Sequence, residues 1–174
     1  PCETGRRATV RENPYTGATE VLADVGNRYN VLQNRYTLER ALDIVGASRG
    51  DAVIDTCGVL HGGRQFFAYL DLGTLIIDPT GINDQIARGL LVYNSHDGSV
   101  PLTYANTNER AVCKNTVMAG LRSARRTFKA KHTPEVEGRI DEANTGLALS
   151  TQWARAFKER AEQMLAIPRT ADRF

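Results

Sequence analysis

Arg122, Arg125, Arg126 and Lys129 fall at i, i+3, i+4 and i+7, the spacing that aligns side chains along one side of a helix. From Glu109 to Lys131 the chain carries Arg110, Lys114, Arg122, Arg125, Arg126, Lys129 and Lys131 against one carboxylate, Glu109. The whole chain has 22 basic and 20 acidic residues, so positive charge is concentrated in this segment. A row of cations backed by apolar residues attracts a polyanion, and phosphate neutralisation makes such binding salt-dependent. The same row also reads as the solvated side of an amphipathic helix, neutralised by acidic residues further on.

Aromatic residues offer a second chemistry. Phe66, Phe67 and Tyr69 lie near Arg64, and Tyr93 and Tyr104 lie on a later hairpin. An unstacked base needs a ring to stack on, and Tyr93 and Phe67 are the candidates here. Phe66 and Phe67 point to opposite faces of a strand, so at least one belongs to the core.

Other chemistries find less support. His61, His96, His132 and the cysteines show no metal-ligand spacing, so no metal or other cofactor is expected. Cys57 and Cys113 stand among apolar neighbours, which predicts buried, inert thiols. His96 in its glycine turn reads as an exposed side chain. A phosphate-binding G-x-x-x-x-G-K-[ST] loop is absent. Asp51, Asp55, Asp71, Asp78 and Asp84 are scattered, and only a metal-dependent nuclease using His96 and Asp97 remains as an enzymatic alternative.

The elements that must carry these residues can be placed from periodicity. Residues 1–19 are polar and turn-rich and read as an N-terminal arm. Val21, Ala23 and Val25 alternate, and Tyr29-Asn30-Val31-Leu32 again favours extended chain, giving two short strands around Gly26. Thr37 reads as an N-cap before Leu38, Ala41, Leu42 and Val45, with Gly46 as the stop. His61-Gly62-Gly63 joins strands from Val53 to Leu60 and from Arg64 to Leu72; Asp78-Pro79-Thr80-Gly81 is a loop signature. Asp97-Gly98 separates strands at Leu90 to Tyr93 and Val100 to Tyr104, with Pro101 at the start of the second or at an edge.

From Val112 the period becomes helical. Val117, Leu121, Ala124 and Phe128 share one face, and Lys131-His132-Thr133-Pro134 ends the helix. Further helix is expected from Val136 to about Ala166, with residues 167–174 a tail. The order predicts an α+β fold: an antiparallel sheet built from hairpins, packed against a basic helix and a C-terminal helical segment. One domain spans residues 20–166, its C-terminal helices beginning near residue 116.

Composition agrees: 174 residues with 41% hydrophobic and 24% charged side chains suit one globular core. A net charge of +2 does not by itself announce a nucleic-acid binder. No apolar run approaches a membrane span, and no leader pattern is present. Cys2, Cys57 and Cys113 form an odd, scattered set, against a disulfide scaffold and consistent with a bacterial cytoplasm. The chain opens on Pro1, as a processed chain or a fragment does.

Five ordered blocks carry a resemblance: Val25-Gly26-Asn27-Arg28-Tyr29-Asn30-Val31-Leu32-Gln33-Asn34, Cys57-Gly58-Val59-Leu60-His61-Gly62-Gly63-Arg64, Asn94-Ser95-His96-Asp97-Gly98-Ser99, Arg110-Ala111-Val112-Cys113-Lys114-Asn115-Thr116 and Lys131-His132-Thr133. From about Arg11 to Leu165 the chain resembles phage/plasmid-related proteins of a bacterial and phage family of unknown function, whose members usually carry a longer N-terminal region. A looser analogy links it to single-strand annealing proteins of the RecT, Redβ and Rad type. That analogy implies a homo-oligomer holding single-stranded DNA, or RNA, in a basic groove lined by Arg122, Arg125, Arg126, Lys129 and Arg64. With Lys131 and Lys114 from the same charged segment, these form the expected nucleic-acid contacts. The alternative is a non-enzymatic phage interaction or structural protein that binds a protein partner.

Overall fold

Every residue from Gln65 to Leu70 is buried although successive side chains in a strand point to opposite faces, so the strand is covered on both sides. In the computed structural model, which describes residues 5–47, 52–77, 84–124, 126–142, 159 and 163, that strand lies within a five-stranded antiparallel sheet. The strands are β3 (Val53–Leu60), β4 (Gln65–Ile77), β5 (Asp84–Ser95), β6 (Leu102–Thr107) and β7 (Arg126–Ala130), in that spatial order. A separate two-stranded ribbon pairs β1 (Arg6–Glu12) with β2 (Thr19–Gly26). With the helices α1 (Asn34–Ala47) and α2 (Lys114–Ser123) and a helical stretch at 136–142, the architecture is α+β, as the order of elements predicts.

Helices α1 and α2 take opposite faces of the sheet. On one, Ala41, Ile44 and Val45 of α1 pack with Phe66, Leu90 and Tyr104, joined by Val136 and Ile140 of a helical stretch at 136–142. Tyr104 ties strand to helix by donating its hydroxyl to the Thr37 carbonyl at 2.9 Å. On the other face Val117 of α2 packs with Phe67, Tyr69, Leu91, Tyr93 and Ala105. No helix among the described residues is long and apolar enough to cross a membrane.

Several local expectations change. Part of the segment expected as an N-terminal arm is β1, paired with β2 from Arg6↔Gly26 to Glu12↔Thr19. Residues 29–33 form no strand; Tyr29 and Leu32 instead pack across the end of the sheet. Helix α1 starts three residues before Thr37, whose buried hydroxyl returns to the Asn34 carbonyl at 2.8 Å. His61–Gly63 forms a single 3-10 turn, with Gly62 and Gly63 both at positive φ. The loop expected at residues 78–81, the helix beyond residue 142 apart from helical positions 159 and 163, and the tail at 167–174 lie outside the described residues.

The largest correction concerns the basic helix. It ends at Ser123; Ala124 adopts φ −58°, ψ 124°, and the chain returns as β7 along β6. Five register pairs, from Arg126↔Asn106 to Ala130↔Leu102, fill what would be an open edge of β6. Unpaired backbone groups on such an edge are costly when buried, and Thr127-Phe128 suits a strand. Phe128 therefore leaves the predicted helical face and stacks on Tyr104, ring centroids 6.1 Å apart.

Gly89 shows how tightly the sheet is packed. It pairs with Asp71 and Thr107, and a Cβ there would collide with the Tyr69 ring. Gly89→Ala should destabilise the fold by about 1–3 kcal/mol through overpacking. The check is a urea titration in which the midpoint falls with little change in slope; a midpoint equal to the parent's would show that Tyr69 yields freely.

Candidate nucleic-acid interface

Because the predicted helix is really a helix followed by a strand, the row Arg122, Arg125, Arg126, Lys129 does not exist as one stripe. Arg122 is exposed near the end of α2, whose Ser123 hydroxyl sits 3.4 Å from that of Thr107. Arg126 opens β7 opposite Asn106, at the same end of the sheet. Lys129, opposite Thr103, lies toward the other end, and exposed Lys131 comes directly after the last pair. At about 3.4 Å per strand residue, Arg126 and Lys131 are separated by roughly 17 Å. Arg125 lies outside the described residues.

The structure instead gathers Lys129, Lys131 and Arg64 at the end of the sheet marked by Gln65, Ser95, Leu102 and Ala130. Arg64 closes the turn between β3 and β4, three strand spacings from β7, about 14 Å across the sheet. Lys114, exposed, opens α2.

A network of buried polar groups fixes this end. The Arg64 carbonyl accepts the His96 N–H at 2.7 Å. His96 Nε2 lies 2.8 Å from the Asn34 amide oxygen at the start of α1, and the His96 carbonyl accepts the Thr9 hydroxyl of β1 at 2.8 Å. Tyr29 donates its hydroxyl to the Ser95 carbonyl at 2.7 Å and stacks on His132, centroids 4.8 Å apart. His132 Nδ1 is 3.1 Å from the Asn30 carbonyl, and its own carbonyl accepts the Asn30 N–H at 3.0 Å. Lys131 is thus held by its neighbour's contacts.

This network overturns the expectation that His96 is an exposed turn residue: it is 7% exposed. Burial pushes its imidazole below the ordinary histidine value, against the pull of Asp97. Burial likewise lowers His132, against its hydrogen bond to Asn30, with His96 acting in the same direction as burial. Burial would raise the Asp97 carboxyl, but hydrogen bonds from Ser99 and the charge of Arg64 hold it below its usual range.

The two rings expected to stack on bases are interior. Phe67 and Tyr93 both belong to the core under α2, and Tyr93 donates its hydroxyl to Gln65 Oε1 at 2.6 Å. Both faces of the sheet are covered, so neither Phe66 nor Phe67 is left for a ligand. The thiols reverse the other way: Cys57 and Cys113 are exposed. Cys113 caps α2, and hydrogen bonds with Thr116 lower its thiol below the ordinary range.

Sequence reasoning missed Tyr29, Asn34 and Asn94, which share no periodicity and meet only when the chain closes. Asn94 is fully buried, its Nδ2 donating to the Leu32 carbonyl at 3.1 Å while Oδ1 has no partner among the described residues. His132 Nε2 is likewise buried without a partner there. No group of three or more His, Cys, Asp or Glu positioned to hold a metal ion occurs among the described residues.

The fold is that of an α+β protein in which Arg64, in the turn before β4, Lys129, on β7, and Lys131, just after β7, stand exposed at the end of the sheet braced by the buried His96 and His132. A family model described as a domain of unknown function, DUF932, matches residues 21–174, and the chain belongs to that family. No curated protein and no solved structure matches it.

The two buried imidazoles have a measurable consequence. In the unfolded chain they take up protons near pH 6.5, whereas the folded chain resists until lower pH. Below about pH 6.5 the unfolded state binds more protons, so folding stability falls with pH across this window. Thermal unfolding should shift to lower temperature between about pH 7.5 and about pH 5.5. A transition temperature unchanged over that interval would contradict neutral, buried histidines.

Proposed function

We propose that this chain is a phage-type nucleic-acid-binding protein that binds and anneals single-stranded DNA as a homo-oligomer, without breaking bonds. One contrast supports the reading. Arg6, Arg11, Arg35, Arg40 and Arg110 each form an ion pair, with Asp24, Glu20, Glu39, Asp43 and Asp55 respectively. Arg64, Lys114, Arg122, Lys129 and Lys131 are exposed, and none forms an ion pair with a carboxylate among the described residues. Of the cations between Glu109 and Lys131, Lys114, Arg122, Lys129 and Lys131 are thus open to an external anion while Arg110 is held by Asp55; Arg7, Arg28 and Arg139 are likewise exposed without an ion pair among the described residues. Arg125 and Arg126 remain part of the proposal as neighbours of Arg122 in sequence.

The burial of Phe67 and Tyr93 is compatible with annealing, since a strand held by its phosphates keeps its base edges free to pair. Phosphate contacts also make affinity fall as salt rises, about 0.7 units of log K per unit of log salt for each contact to a single strand. Replacing Arg64, Lys129 and Lys131 together by Ala should flatten that dependence by about 2 and weaken binding at every sequence. The measurement is a titration of a labelled mixed-sequence oligonucleotide from ~50 mM salt upward; an unchanged slope and affinity in the triple variant would refute the assignment.

A second reading has its own observation. β3 is an edge strand among the described residues, and Val53, Ile54 and Val59 on it are exposed, Val53 by 68%. An apolar open edge is a template for pairing with another chain. If the oligonucleotide stays free at ~50 mM salt, where phosphate contacts are strong, while the protein binds protein, a non-enzymatic interaction or structural role replaces the first reading.

A further inference from the structure

The hairpin turn between β1 and β2 presents one ring to solvent. Tyr15 is 95% exposed, whereas the other described tyrosines and phenylalanines are buried or half-buried. The turn that carries it is tightly hydrogen-bonded. Asn13 Oδ1 accepts the backbone N–H groups of Tyr15 at 2.9 Å and Thr16 at 3.3 Å. Asn13 Nδ2 donates to Glu20 Oε1 at 2.7 Å, and the Asn13 backbone exchanges hydrogen bonds with Gly17 and Ala18, each at 2.8 Å. None of these bonds uses the Tyr15 side chain. The ring is therefore displayed on an ordered support while contributing nothing visible to the support itself. An exposed aromatic held this way meets a planar ligand at a lower ordering cost than one on a loose loop.

Its location gives it a use. Arg11, four residues before Tyr15 on the same hairpin, lays its guanidinium against Gly63, where a Cβ would collide with it. Gly63 sits at φ +90° and precedes Arg64. The tip of the hairpin thus starts beside the turn that carries a proposed phosphate contact. Four residues span at most about 14 Å. The hairpin is also anchored midway along β1 by the Thr9 hydroxyl on the His96 carbonyl, part of the same polar network.

We propose that Tyr15 is a base-stacking residue, taking the face of an unstacked nucleobase from the strand held at Arg64. This rests on the single-stranded nucleic-acid reading above and names the part of the ligand that this hairpin meets. Charge near the tip does not supply the contact: Glu20 is paired with Arg11, and Glu12 forms no ion pair among the described residues. Stacking is tolerant of sequence, because every base offers a π-face. One ring at the margin of the strand's path leaves the remaining bases free to pair.

The test compares the full chain with its Tyr15→Ala and Tyr15→Phe variants in titrations of a mixed-sequence oligonucleotide and of the same oligonucleotide made abasic. Tyr15→Ala should weaken binding of the base-bearing strand about fivefold to a hundredfold, the range for one lost base–aromatic stack, while Tyr15→Phe keeps parental affinity. The salt slope stays the same in both variants, since no phosphate contact is lost. The abasic strand should be bound equally by all three proteins. Parental affinity of Tyr15→Ala for the base-bearing strand overturns the stacking role and leaves strand binding standing. A loss in Tyr15→Ala that is equal for abasic and base-bearing strands also overturns it, by assigning the hairpin a structural effect. Absence of binding by the parent to either strand overturns the nucleic-acid reading, and the stacking role with it.

Discussion

β4 and β5 are buried on both faces, and the rest of the molecule is arranged to satisfy that burial. An antiparallel sheet commonly leaves one face to water; here the run Gln65 to Leu70 and the facing run Leu90 to Ser95 tolerate no solvent on either side. One helix must therefore cover each face. Covering the second face consumes only ten residues of the basic segment, Lys114–Ser123. The chain beyond Ser123 is then free to close the edge of β6, which it does as β7.

That allocation determines where the cations go. A continuous helix would align four of them; a helix followed by a strand sends Arg122 and Arg126 toward one end of the sheet and Lys129 and Lys131 toward the other. Arg64 joins the second group because the β3–β4 turn opens at that end. The cations there stand on a frame of neutral contacts. Two histidines whose burial disfavours the charged form, a Tyr29–His132 stack and a set of backbone carbonyls hold the start of α1, the end of β5, the exit of β7 and the middle of the β1–β2 hairpin together. Most of these contacts are between uncharged groups; a carboxylate at this end, Asp97, is held by Ser99 and acts on Arg64 at longer range.

The division between paired and open cations gives the functional reading its physical content. Exposed ion pairs contribute little to stability, typically under about 1 kcal/mol, so pairs such as Arg35 with Glu39 are better seen as neutralising charge than as fastening the fold. Where a carboxylate is supplied, the field of the arginine is closed off locally. Lys114, Arg122, Lys129 and Lys131 keep theirs, and Arg64 forms no ion pair within 4 Å among the described residues although the charge of Asp97 acts on it at longer range. The net charge of +2 hides this because it sums over both populations.

Alternation and turn chemistry were enough to read the two hairpins of the large sheet, the strand beginning after Pro101, the helix before residue 47 and the α+β class, because each is set by residues adjacent in the chain. The concentration of positive charge after Glu109 was equally visible. Three things were not. Val117, Leu121, Ala124 and Phe128 fit a helical period, yet pairing with β6 outweighed it after Ser123, a long-range term that local spacing does not contain. Phe67 and Tyr93 looked available because strand residues beside cations do, and only the arrival of α2 covers them. Asn34, Asn94, His96 and His132 come from distant segments and acquire meaning only as neighbours. Local backbone preference is written in the order of residues, whereas burial and electrostatic partnership depend on which distant segments the closed core brings together.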